Sequence, residues 1–154
     1  MTAPRSAKRM PRWRWLALAV CLFATWFAFS AAAQSDSFSV HDAWARVPLK
    51  SKTETALYMV VENHTAQSRA IVAVSTDAAA AAELHQMQMV KMVMTMMPVA
   101  QVSLPAHGRA TFDPNGYHVM LFGLKTRPAV GDKINLTLKL DDGTMVPVVA
   151  EVRK

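Results

Sequence analysis

The chain has 154 residues, 52% hydrophobic and 18% charged, which suits one folded domain plus a sorting segment and argues against disorder. Its net charge of +6 is unevenly placed. Residues 1–33 hold Arg5, Lys8, Arg9, Arg12 and Arg14 and no acid, whereas residues 34–154 hold 12 basic residues against 11 acids, a balance that disfavours a nucleic-acid-binding domain.

The basic start leads into an uncharged, mostly apolar run from Trp15 to Ala33, which closes on Ala31-Ala32-Ala33 before the polar Gln34-Ser35-Asp36-Ser37. This order predicts a secretory signal peptide over 1–33, cleaved after Ala33, and a mature domain over 34–154. Membrane attachment would then arise only if the segment stayed uncleaved as an anchor. A lipoprotein reading of Leu18-Ala19-Val20-Cys21 is weak, because bulky valine precedes the cysteine and the apolar run continues past it. Cys21 is the one cysteine of the chain. The mature part therefore has no disulfide, no thiol nucleophile and no cysteine-held zinc or iron–sulfur site.

Residues 39–46, 56–62 and 70–75 read as strands, followed by 84–89, 92–97, 99–104, 110–112 and 118–122. Ile134–Leu140 alternates cleanly, with Ile134, Leu136, Leu138 and Leu140 on one face, and Met145–Val152 closes the chain. Turn residues fall between these runs, among them Asp113-Pro-Asn-Gly116 and the hairpin connection Asp141-Asp-Gly143-Thr144. Only Asp77–Leu84, with its alanines, reads as a turn or two of helix. Many short strands with frequent turns predict an antiparallel sandwich or barrel.

Six methionines lie within residues 87–97. On strands, His85, Met87 and Met89 share one face by the period of two, as do Met92, Met94 and Met96. A hairpin with Val90-Lys91 at its tip would set Met89 opposite Met92, Met87 opposite Met94 and His85 opposite Met96, with opposed Cβ atoms about 5 Å apart. Valine resists the positive φ of a tight turn, so this tip reads as a longer, looser loop. His118 and Met120 form a second i, i+2 pair. Two imidazoles and two thioethers are a soft, neutral donor set that suits Cu(I). The competing reading is adaptable apolar packing, but packing does not require methionine at every position of one face.

These residues resemble the periplasmic copper chaperones of the PCu(A)C type. That family's signature spaces His, Met, His and Met by ten, twenty-one and one residues, and His85, Met96, His118 and Met120 keep all three intervals. Asp42-Ala-Trp44-Ala-Arg46, Glu83-Leu-His85 and Gly116-Tyr-His118-Val-Met120-Leu-Phe-Gly123 agree with it. The resemblance implies a cupredoxin-like antiparallel β-sandwich with a Greek key. It implies a Cu(I) carrier without catalytic activity, working in the periplasm. Its partner would be a copper-accepting protein, such as a cytochrome c oxidase subunit or a thiol-containing copper chaperone. His85, Met96, His118 and Met120 would be the ligands, with Met87, Met89, Met92 and Met94 as auxiliary donors.

A blue-copper electron carrier needs a cysteine thiolate that the mature chain lacks. The remaining alternative is a metal-free exported sandwich whose methionine face binds an apolar protein partner. His41, His64 and His107 read as polar or solvated residues, with a second metal site at His41 the minor reading. Trp44 reads as core packing, with shielding of a metal site the minor reading, and Tyr117 as packing. No Ser–His–acid set, paired carboxylates or phosphate loop points to an enzyme.

Overall fold

A computed structural model describes residues 37–154, so the expected signal peptide lies outside the described residues. Ten strands follow in order: β1 (Phe38–Arg46), β2 (Thr55–Asn63), β3 (Arg69–Ser75), β4 (Ala79–Val90), β5 (Val93–Pro98), β6 (Val102–Leu104), β7 (Arg109–Phe112), β8 (Tyr117–Leu124), β9 (Lys133–Leu140) and β10 (Met145–Arg153). Their hydrogen-bonded order is β5-β4-β8-β7-β2-β1-β10-β9-β3-β6, with β8 also pairing β2. The ladder folds over so that β3 lies against β4 and β6 against β7. The result is the expected β-sandwich. Pairing is antiparallel except for β1 with β10 and β7 with β8.

The core fills from both layers. Leu57 and Val61 of β2, Leu84 of β4, and Val119 and Leu121 of β8 meet Ile71 of β3, Leu136, Leu138 and Leu140 of β9, and Val148 and Val152 of β10. The alternation read in Ile134–Leu140 is the buried face of β9. At its end, Gly143 (φ +87) donates to the Leu140 carbonyl, a turn with a left-handed third residue that suits glycine.

Two expectations change. The alanine run is not helical: Ala79–Ala82 opens β4, with Ala79 opposite Leu124 and Ala81 opposite Phe122. Pairing overrides helix propensity, which is a weak prior. Small side chains are needed there for another reason. Gly123 adopts φ +65, and a Cβ on it would lie 3.0 Å from that of Ala80.

The second change is the methionine hairpin. Its tip is not the longer loop expected but a two-residue turn, Lys91-Met92, both with positive φ, and Val90 pairs with Val93. Valine stays in the ladder, and the tip moves by one residue to a lysine and a methionine without β-branches. Met89 therefore faces Met94, Met87 faces Met96, and His85 faces Pro98. The expected pairs 89–92, 87–94 and 85–96 do not form. Parity survives the shift, so His85, Met87, Met89, Met94 and Met96 still share a face. Met92 leaves it for the exposed tip.

Candidate metal centre

β8 is buried on both sides. Val119 and Leu121 point into the core, while His118 and Met120 point to the opposite face of the sheet, where they are also buried. Across the ladder, His85 pairs with His118 and Glu83 with Met120. By strand geometry, His85 stands at the middle of a small lattice. His118 lies beside it, Glu83 and Met87 lie above and below on β4, and Met96 and Met120 are its diagonal neighbours on β5 and β8. The four expected ligands thus share one sheet face. Met87 and Met89 extend this face on β4, and Met94 on β5. Among the described residues no three His, Asp or Glu side chains already converge as a metal-holding group, so His85 and His118 would need other donors, such as the thioethers beside them, to complete a site here.

The two imidazole rings are 5.9 Å apart between centroids. His85 Nε2 lies 3.0 Å from Glu83 Oε2. A carboxylate only accepts, so Nε2 is the donor, and in the neutral ring the lone pair then lies on Nδ1. His118 Nδ1 lies 3.2 Å from the Gly116 carbonyl oxygen. That ring is held in the opposite tautomer, with the lone pair on Nε2. Both free nitrogens, His85 Nδ1 and His118 Nε2, are buried without a hydrogen-bond partner. An unsatisfied buried acceptor costs about 1–3 kcal/mol, so this pair is open to a water, another donor or a metal ion. Burial is the main reason that the His118 pKa lies below the ordinary histidine value, and the nearby His85 lowers it further. The neutral, metal-binding form is thereby favoured.

The Asp113–Gly116 turn fixes this arrangement. Asn115 N–H donates to Asp113 Oδ1 at 2.8 Å, and Gly116 N–H to the Asp113 carbonyl at 3.2 Å. The Gly116 carbonyl accepts from Met87 N–H at 3.0 Å as well as from the His118 ring. One oxygen therefore ties the methionine hairpin to the histidine strand. Trp44 is not a core residue. It packs on Tyr58 at 4.6 Å, and Tyr58 in turn stands 6.4 Å from His118. Phe122 flanks His85 at 5.9 Å. Tyr117 packs against the core, as expected.

Toward the tip the donors become exposed: Met120 is 9% exposed, Met96 48% and Met92 92%. Sequence reasoning missed the parts played by Glu83 and the Gly116 carbonyl. The i−2 spacing of Glu83 from His85 on a strand was the available signal. A backbone carbonyl offers no signal in sequence.

The fold is the β-sandwich of PCuAC domains. The chain belongs to the LpqE-like family, whose profile, "Putative lipoprotein LpqE-like", matches residues 38–152. It is 30% identical over 121 residues to "Putative lipoprotein Lxx21020" of Leifsonia xyli subsp. xyli, covering 78% of this chain and 72% of that protein. The Cu(I) form of DR1885 from Deinococcus radiodurans matches with TM-score 0.58 and 33% identity over 82% of this chain and 85% of that one. Apo-DR1885 matches at 0.61 and 29%, covering 100% and 93% of the two chains. The copper-bound PCuAC domain from PmoF2 shares the fold at TM-score 0.64 and 24% identity, covering 76% and 92%.

Proposed function

We propose that this protein is a copper chaperone that carries one Cu(I) on the β4–β5–β8 face and passes it on by ligand exchange. His85 Nδ1, His118 Nε2 and the sulfurs of Met96 and Met120 are the ligands. The observation that carries this reading is the pair of buried, unpartnered imidazole nitrogens set on a thioether-rich face. Imidazole and thioether are soft donors that favour Cu(I). The hydrogen bonds behind the rings support it: Glu83 and the Gly116 carbonyl each hold one ring so that its other nitrogen is free. DR1885, known in a Cu(I) form, is similar over most of the chain. An apolar docking face alone would give no reason to bury two unpaired acceptors.

Exposure grades from buried Met120 through half-exposed Met96 to Met92 at the tip, which gives an ion a route outward. Met87, Met89, Met92 and Met94 serve as auxiliary donors during exchange. The family resemblance directs the cargo to cytochrome c oxidase assembly, either directly or through a thiol-containing chaperone. Residues 1–33 act as the export signal, and the mature domain, 34–154, works in the periplasm without catalysing a reaction. The relatives named as lipoproteins raise a competing outcome of export, cleavage before Cys21 with a lipid anchor on that residue. The intact mass of the exported protein decides between them: a chain starting at Gln34 supports cleavage after Ala33, and a lipid-modified chain starting at Cys21 overturns it. X-ray absorption of the Cu(I) form tests the donor set. Mixed sulfur and nitrogen scattering is expected, and a spectrum without sulfur contradicts the proposal.

A further inference from the structure

The chain has five histidines. Two belong to the centre above. His41 and His64 meet elsewhere, on the β1–β2 ladder. Ser39 of β1 pairs with Glu62 of β2. His41 lies two residues beyond Ser39. His64 lies two beyond Glu62 and continues the ladder through its N–H bond to the Ser37 carbonyl, 2.8 Å. By the period of two, all four side chains share one face. Both imidazoles aim Nε2 at the same oxygen: Ser39 Oγ is 3.0 Å from His41 Nε2 and 2.8 Å from His64 Nε2. Glu62 Oε2 lies 3.7 Å from His41 Nε2. His107 lines a small cleft with Glu62, His64 and Arg109.

We propose that Ser39, His41, Glu62 and His64 form a second metal site, for a divalent borderline ion such as Zn(II). Two imidazole nitrogens that already converge on the Ser39 hydroxyl can turn from that oxygen to an ion held between them at roughly 2.0–2.1 Å. The donors are nitrogen and oxygen, with no sulfur, which suits Zn(II) and offers Cu(I) little. Three donors do not yet meet in a closed cage. The ion must draw Glu62 inward, and Arg109, across the ladder from Glu62, competes for that carboxylate. Binding is therefore expected in the micromolar range and reversible. Tyr58, beside His118, is four residues from Glu62 along β2, roughly 13 Å at strand rise, so the two sites do not share ligands. The protein would then carry a soft site and a harder site on separate parts of the sheet.

Zn(II) alone is the probe, because its preference for nitrogen and oxygen over thioether separates the two sites. Zn(II) titration of the purified protein against a chromophoric chelator should give one ion per chain. The double variant His41→Ala/His64→Ala should weaken Zn(II) binding at least about tenfold while leaving Cu(I) affinity unchanged, which also shows that the variant folds. The double variant His85→Ala/His118→Ala should keep the Zn(II) site. Absence of Zn(II) binding, equal binding by wild type and the His41/His64 variant, or loss of Zn(II) only in the His85/His118 variant would each overturn the proposal.

Discussion

Two hairpins of the same sheet are built to opposite ends. In β9–β10, every second side chain is buried: Ile134, Leu136, Leu138 and Leu140 on one strand, Val146, Val148, Ala150 and Val152 on the other. Both strands are paired on each side, and the turn has a glycine where φ is positive. In β4–β5, no side chain from Gln88 to Pro98 is buried, β5 is an edge strand, and the tip has positive φ without glycine. An exposed apolar edge is a liability that folding alone would remove. Its retention here fits a hairpin specified by its ligand. The first hairpin holds the fold, and the second spends none of its methionines on the core.

Substitutions should expose that difference, the largest effects coming from the first hairpin. Leu138→Ala, in the centre of the core, should cost roughly 2–5 kcal/mol of folding stability. Met94→Ala, on the second hairpin, should cost under about 0.5 kcal/mol. Denaturant unfolding of the two metal-free variants checks this, and equal costs would erase the distinction. Next come the ligands. His118→Ala or Met96→Ala should weaken Cu(I) at least about tenfold, or 1.4 kcal/mol, in chelator competition. Since Met96 is half exposed, its loss should barely move the metal-free melting temperature, whereas a core role would lower it.

Smaller still is the effect of the tip. Replacing Lys91-Met92 by Asn-Gly, which favours the same backbone, should stabilise the metal-free protein by about 1 kcal/mol. Met89→Ala with Met92→Ala should leave Cu(I) affinity nearly unchanged but slow transfer to an acceptor in stopped-flow exchange. Faster or unchanged transfer would remove the auxiliary role. The mildest effect is that of pH. His118 has a folded pKa below its ordinary value, chiefly through burial, so the unfolded chain binds the proton more readily. Its contribution to stability is complete above the unfolded value of about 6.5 and is lost as pH falls through the folded one. A His118→Ala variant should show a flatter acid limb in thermal melts than the wild type.

Strand positions were legible from the alternation of β9 and from short apolar runs bounded by turn residues, such as that of β2. The alanine run misled because the helix propensity of Ala79–Ala82 says nothing of the close approach that Ala80 makes to Gly123. That the histidines and methionines share a face was legible from spacing, since parity along a strand does not depend on register. Register itself was not: a one-residue move of the tip changed every opposed pair while leaving the face intact. The role of Trp44 was hidden for a similar reason. Nothing in a single strand tells which face of β1 meets the core, and the bulge between His41 and Trp44 shifts the register there.

The proposed copper centre rests on two histidines held in opposite tautomers, each with one buried lone pair left free. Long-range proton–nitrogen NMR of the ring nitrogens tests it most directly. In the metal-free protein, His85 should be protonated at Nε2 and His118 at Nδ1. On adding Cu(I), the signals of His85 Nδ1 and His118 Nε2 should shift, and the two protonated nitrogens should keep their protons. Two rings protonated at the same position, or ring signals unmoved by Cu(I), would contradict the account.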